Sequence, residues 1–100
     1  MRSIEKYCID VISDNKNMMV PWYLMASYAY YEEDDPLISD SLFDRIADKL
    51  LESWEEIEHK HKQFLNRDML LAATYIGEYP SLVKGAVEQV RYSYGPKERQ

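Results

Sequence analysis

The residues best suited to chemistry in this 100-residue chain lie between positions 30 and 45. Tyr30 and Tyr31 precede the acidic stretch Glu32-Glu33-Asp34-Asp35, and Pro36-Leu37-Ile38 then leads into Ser39-Asp40-Ser41-Leu42-Phe43-Asp44-Arg45. Aromatic faces can stack on a flat heterocycle, and carboxylates accept hydrogen bonds from ribose hydroxyls. A helix beginning at Ser39–Asp40 adds backbone amides able to receive a phosphate. The same residues also have a purely architectural reading. Aspartates around a proline turn serve as helix caps, and tyrosines serve as half-buried packing.

Other constellations carry less. His59 and His61 lie near Glu55 and Glu58. On a helix, however, residues two apart point about 200° from each other, and a shared metal ion needs i, i+4 spacing. No metal site is expected. Cys8 falls on the apolar face of the first helical pattern and reads as a core thiol rather than a nucleophile. Serine, histidine and aspartate are present without a nucleophile-turn signature. Glu52, Glu55, Glu56 and Glu58, with the acids at 32–35, could imitate nucleic-acid phosphates and block the basic groove of a nucleic-acid enzyme. A solvated helix face is the far more frequent reason for such a cluster. Arg91, Tyr92, Tyr94, Lys97 and Arg99 interleave aromatic and basic groups as single-strand binders do, over too short a stretch to stand alone.

Over residues 20–60 the chain resembles the small N-terminal, nicotinamide-binding domain of bacterial NAD-dependent DNA ligases. In that family a helix ending in Tyr-Tyr or Tyr-His leads through Asp-x-Pro to an Ile-x-Asp-x-x-Tyr-Asp helix start. The counterparts here are Tyr30-Tyr31, Asp34-Asp35-Pro36 and Ile38-Ser39-Asp40-Ser41-Leu42-Phe43-Asp44. The resemblance implies that Tyr30 and Tyr31 wall a nicotinamide ring, that Asp40 and Asp44 bond its ribose or amide, and that Phe43 also touches the ligand. Phe43 stands where the family has tyrosine, which removes a hydroxyl worth about 1–3 kcal/mol at a site built for it. No Lys-x-Asp-Gly nucleophile motif occurs, so adenylyl transfer is not expected and the chain is read as a non-enzyme. Two readings remain open. One is a helical module that binds NAD or nicotinamide mononucleotide weakly, or serves as accessory subunit of a nucleotidyltransferase. The other is an acidic protein–protein interaction domain, including an inhibitor that imitates DNA to a nucleic-acid enzyme or defence protein.

Composition bounds both. A chain this short supports one core and hence a single domain, residues 1–100. Hydrophobic residues make up 46% of it, which rules out general disorder. The net charge of −6 is uneven. Positions 1–58 hold fourteen acidic and five basic side chains, whereas positions 59–100 hold four acidic and seven basic. An acidic front opposes the counterion-release gain of phosphate binding, so direct nucleic-acid binding is not expected and a protein partner is. The basic back is expected to neutralise part of that front within the fold. With one cysteine, no signal-peptide pattern and no apolar run near the roughly 20 residues that span a bilayer, a cytoplasmic protein without membrane contact is expected.

The elements that must position these residues are helical, and the fold class is all-α, a compact bundle of four or five helices. Ile4, Tyr7, Cys8, Val11 and Ile12 define the first, broken at 14–17 by turn formers. Pro21 suits the first turn of a second helix running to about Glu33. Its tyrosines at 23, 28, 30 and 31 are spread around the axis, so some must face out or line a cleft. Asp34-Asp35-Pro36 ends that helix, and Ser39 or Asp40 caps a third. The second and third form a pair joined at residues 34–39. Phe43, Ile46, Leu50, Trp54 and Ile57 carry the third on, to Leu65 by spacing, making it the longest element and the spine, with Trp54 buried. Asn66 or Asp68 caps a fourth helix through Ile76, closed by Gly77. Pro80-Ser81 opens a fifth, stopped by Gly95-Pro96, with a frayed tail beyond.

Overall fold

A computed structural model describes residues 3–75 and 77–94 of the chain, and among them there are five α-helices and no strand. The first, α1 (Ile4–Asp14), starts where Ser3 accepts the Lys6 amide at 3.0 Å. Asn15 ends it and opens a 3-10 turn, Lys16–Met18, by accepting the Asn17 amide. That turn feeds α2 (Met19–Tyr31) directly. Nine of the thirteen residues of α2 are buried, and α3 and α5 both pack against it. Residues 18–31 contain no charged side chain, and a helix apolar all round can only sit in the centre. The spine is therefore α2 and not the third helix, contrary to the expectation from length.

The end of α2 is tied off by its own backbone. Glu32 and Glu33 both donate to the Tyr28 carbonyl, at 2.9 and 3.2 Å, and the Asp35 amide reaches the Ala29 carbonyl at 3.0 Å. Asp34 takes a left-handed conformation, φ 54°, which aspartate tolerates better than most residues. Ser39 caps α3 (Asp40–Glu52) as expected, accepting the Leu42 amide at 3.2 Å.

That helix stops at Glu52 and does not continue to Leu65. The chain turns over 53–56, with the Ile57 amide bonded to the Ser53 carbonyl at 3.1 Å, and returns through a 3-10 turn at Lys62–Phe64. A straight 25-residue helix would run about 38 Å, nearly the whole 41 Å length of the molecule. Turning back instead buries Ile57 and Leu65 in the core. Trp54 is half-buried at this turn, not on a helix face, and Lys62 holds it there. The Lys62 ammonium donates to the Trp54 and Ile57 carbonyls, at 2.6 and 3.0 Å, and lies 4.6 Å from the centre of the indole.

The short α4 (Arg67–Ala72) is capped by Asn66, whose side chain accepts the Met69 amide at 2.9 Å. It ends well before Gly77. Ala73 adopts the left-handed position, φ 52°, and the Thr74 amide closes on the Met69 carbonyl at 3.0 Å. The cause lies in α2: the buried Tyr23 hydroxyl donates to the carbonyls of Thr74 (2.5 Å) and Met69 (3.3 Å), fixing the chain there. Gly77 serves a separate bend with φ 142°, which a side chain would strain. Ile76, the Gly95-Pro96 stop and the tail lie outside the described residues. The last helix, α5 (Ser81–Tyr94), lies against α2 and α1. No helix among the described residues is long and apolar enough to cross a membrane.

Candidate ligand cleft

Where α2 ends and α3 begins, a cleft of about 210 Å³ opens. Tyr30, Tyr31, Asp40, Phe43 and Asp44 all line it, so the fold brings together the five residues that the ligase resemblance implies. The reason is local. Tyr30 and Tyr31 occupy the last turn of α2, and Asp40, Phe43 and Asp44 share one side of the first turns of α3 at steps of three and four. The connection between them folds back because Arg91, near the end of α5, grips it. Arg91 Nη2 lies 2.9 Å from Glu33 Oε1, Nη1 lies 3.1 Å from Asp35 Oδ2, and Nη2 also donates to the Asp35 carbonyl.

The walls differ in rigidity. Phe43 stacks on buried Tyr23, ring centres 4.6 Å apart and planes 21° from parallel, so its position is set by the core. Tyr30 and Tyr31 are about half exposed, at 49% and 48%, and meet edge to face with planes 86° apart. Perpendicular rings cannot both lie flat on one guest, so at most one stacks while the other offers its edge. The Tyr31 hydroxyl is 3.0 Å from the Thr74 hydroxyl, which fastens it to the segment after α4. Burial pushes the Tyr23 phenol well above its ordinary value, with Tyr31, Asp44 and Tyr79 adding to the rise. Tyr23 therefore stays a neutral donor to its two carbonyls.

The helix start that could receive a phosphate is partly taken. Glu5 of α1 accepts the Ser39 amide at 2.8 Å, and Ser39 itself satisfies Leu42. A carboxylate from the same chain thus already complements the positive end of α3. Sequence reasoning missed four lining residues: Ala26, Pro36, Ile38 and Ala73. Ala26 was discoverable, being one turn before Tyr30 on the same face. Ala73 had no local signal, since it arrives from the other side of the fold.

The other nominated groups do not assemble into chemistry. His59 and His61 sit in a turn rather than on a helix, with ring centres 5.3 Å apart and the His61 amide donating to His59 Nδ1 at 3.1 Å. Burial, then His61 and Lys60, lowers the His59 pKa. Among the described residues no group of three or more His, Cys, Asp or Glu could hold a metal ion. Cys8 is fully buried, and burial followed by Glu5 pushes its thiol up to about 12. The acidic front is partly paired with basic groups, Arg67 with Glu55 and Lys16 with Glu56 as well as Arg91 with Glu33 and Asp35. In comparisons with known proteins the chain matches no family model, no curated protein and no solved structure.

Proposed function

We propose that the chain is a non-catalytic helical module whose cleft takes the nicotinamide mononucleotide half of NAD, by itself or as accessory subunit of a nucleotidyltransferase. The observation that carries this reading is convergence: the five residues nominated by the ligase resemblance line one cleft. Its chemistry suits the ligand. The nicotinamide ring of the oxidised nucleotide is a flat cation, and such a ring is attracted by aromatic faces and carboxylates together. The cleft is smaller than the roughly 300–1,000 Å³ of ordinary ligand pockets. It admits a ring and part of a ribose, leaving the rest of a dinucleotide to solvent or to a partner. No lysine lines it, so the cleft does not offer the lysine that the ligase family adenylylates. Calorimetric titration with nicotinamide mononucleotide and with NAD tests the reading; silence from both at millimolar ligand removes it.

The second reading is an acidic interaction domain of the cytoplasm, in which the cleft receives an arginine or lysine of a protein partner. The half-exposed Tyr30 and Tyr31 favour it, since exposed aromatics beside carboxylates also suit a cationic side chain. Imitation of DNA fits less well, because Glu33, Asp35, Glu55 and Glu56 are already paired with cations of the same chain.

A further inference from the structure

Helix α3 carries opposite charge on its two flanks. Asp40 and Asp44 face the cleft, whereas Arg45 and Lys49 edge a second groove, of about 370 Å³, between α3 and α1. We propose that this second groove docks an acidic amphipathic helix of a protein partner.

The groove is apolar below and cationic at its rim. Ile9 and Ile12 of α1 line it beside Leu42 and Ile46 of α3, which are themselves buried, and Ile9, outside the buried face of α1, stays 37% exposed. Lys16, Arg45 and Lys49 also line it, against a single acid, Glu52. Lys16 is paired with Glu56, but among the described residues the side chains of Arg45 and Lys49 form no ion pair or hydrogen bond. In a chain of net charge −6 this is a local reversal of sign. Along α3 the lining runs from Leu42 to Ser53, about 16 Å or three helical turns, which matches a short helix laid lengthwise.

Charge complementarity selects the occupant. Arg45 and Lys49 are one turn apart, so two acids one turn apart on a docked helix meet both. Their aliphatic stems extend the apolar floor while the charged heads stay in water. Exposed ion pairs add little affinity. The buried apolar face supplies the binding, and the charges set the orientation and reject basic helices. A nucleic acid is disfavoured by Asp40 and Asp44 on the other flank of the same helix and by the exposed Asp48.

The test uses the full chain and a fluorescent helical peptide of about 12 residues, three turns, with leucine at every third or fourth position and glutamate at the flanking ones. Anisotropy should show saturable binding. The double reversal Arg45→Glu/Lys49→Glu should weaken it tenfold or more, with far-ultraviolet dichroism unchanged. Lys84→Glu, on the exposed face of α5, should leave it within twofold. A peptide with lysine for glutamate should bind at least tenfold more weakly. Equal binding of the acidic peptide to both proteins, or of both peptides to the parent, overturns the proposal. So does no saturation at millimolar protein, or a dimer of the parent that the double reversal dissociates, which would make a second copy the occupant.

Discussion

Arg91 reaches across 58 positions of sequence to Glu33, with Nη2 at 2.9 Å and Nε at 3.3 Å from the same carboxylate oxygen. The two side chains are only 23% and 31% exposed, so solvent screens the pair less than a surface ion pair. Through Asp35 the same guanidinium also holds the backbone of the connection that separates the cleft's two walls.

Arg91→Ala should therefore destabilise the fold by about 1–3 kcal/mol, the usual cost of losing charge-assisted bonds that are partly shielded. In a domain of this size that lowers the melting temperature by roughly 4–8 °C per kcal/mol. Ligand affinity at the cleft should fall with it. A variant melting within a degree of the parent would show that the connection holds its shape unaided.

At the cleft, nicotinamide mononucleotide should bind at about 0.1 mM or weaker, near −5.5 kcal/mol. A lone half-site must still offset the lost translational freedom. Tyr30→Ala and Asp40→Ala should each abolish measurable heat, by removing an aromatic wall and a hydrogen-bond acceptor. Phe43→Tyr restores the hydroxyl found in the ligase family and should tighten binding, read by the same titration. Unchanged binding in both alanine variants would place the ligand elsewhere.

Alkali should unfold the protein early. Burial raises the Cys8 thiol to about 12, and burial also raises the Tyr23, Tyr75 and Tyr79 phenols. Groups whose folded pKa is raised contribute stability fully below their unfolded pKa and lose it as pH climbs through the folded one. The melting temperature should thus start to fall near the ordinary thiol value of 9.0 and fall further above the phenol value of 10.0. Cys8 should also resist thiol reagents until the chain unfolds. A melting temperature that is flat from pH 8 to about 11 would contradict the burial of these groups.

Ser27, fully buried in α2, has a hydroxyl with no hydrogen-bond partner among the described residues. Ser27→Ala removes that unsatisfied group and adds helix propensity, and should stabilise by about 1 kcal/mol. Thermal or urea denaturation reads the change. A loss of stability would mean that the hydroxyl is bonded to water.

Much of this protein was written in local sequence. The caps at Ser39 and Asn66, the break at 34–36 and the five helical segments follow from which residues satisfy orphan amides and where proline sits. The cleft residues were legible too, because Tyr30 and Tyr31 end one helix, Asp40, Phe43 and Asp44 begin the next, and a connection this short keeps the two ends adjacent. The uncharged run 18–31 announced a central helix, although apolar spacing past Glu52 drew attention to α3 instead. Only the tertiary structure decided where α3 and α4 stop. Periodicity at 54, 57 and 65 is the same whether the helix continues or the chain turns back, and the choice fell to the ammonium of Lys62 and to burial of Ile57 and Leu65. In α4 the buried Tyr23 hydroxyl, some fifty residues away, claims the carbonyls at Met69 and Thr74. Such long-range partners leave no trace in local spacing, which is why Ala73 in the cleft wall and the grip of Arg91 on Glu33 were beyond the reach of sequence alone.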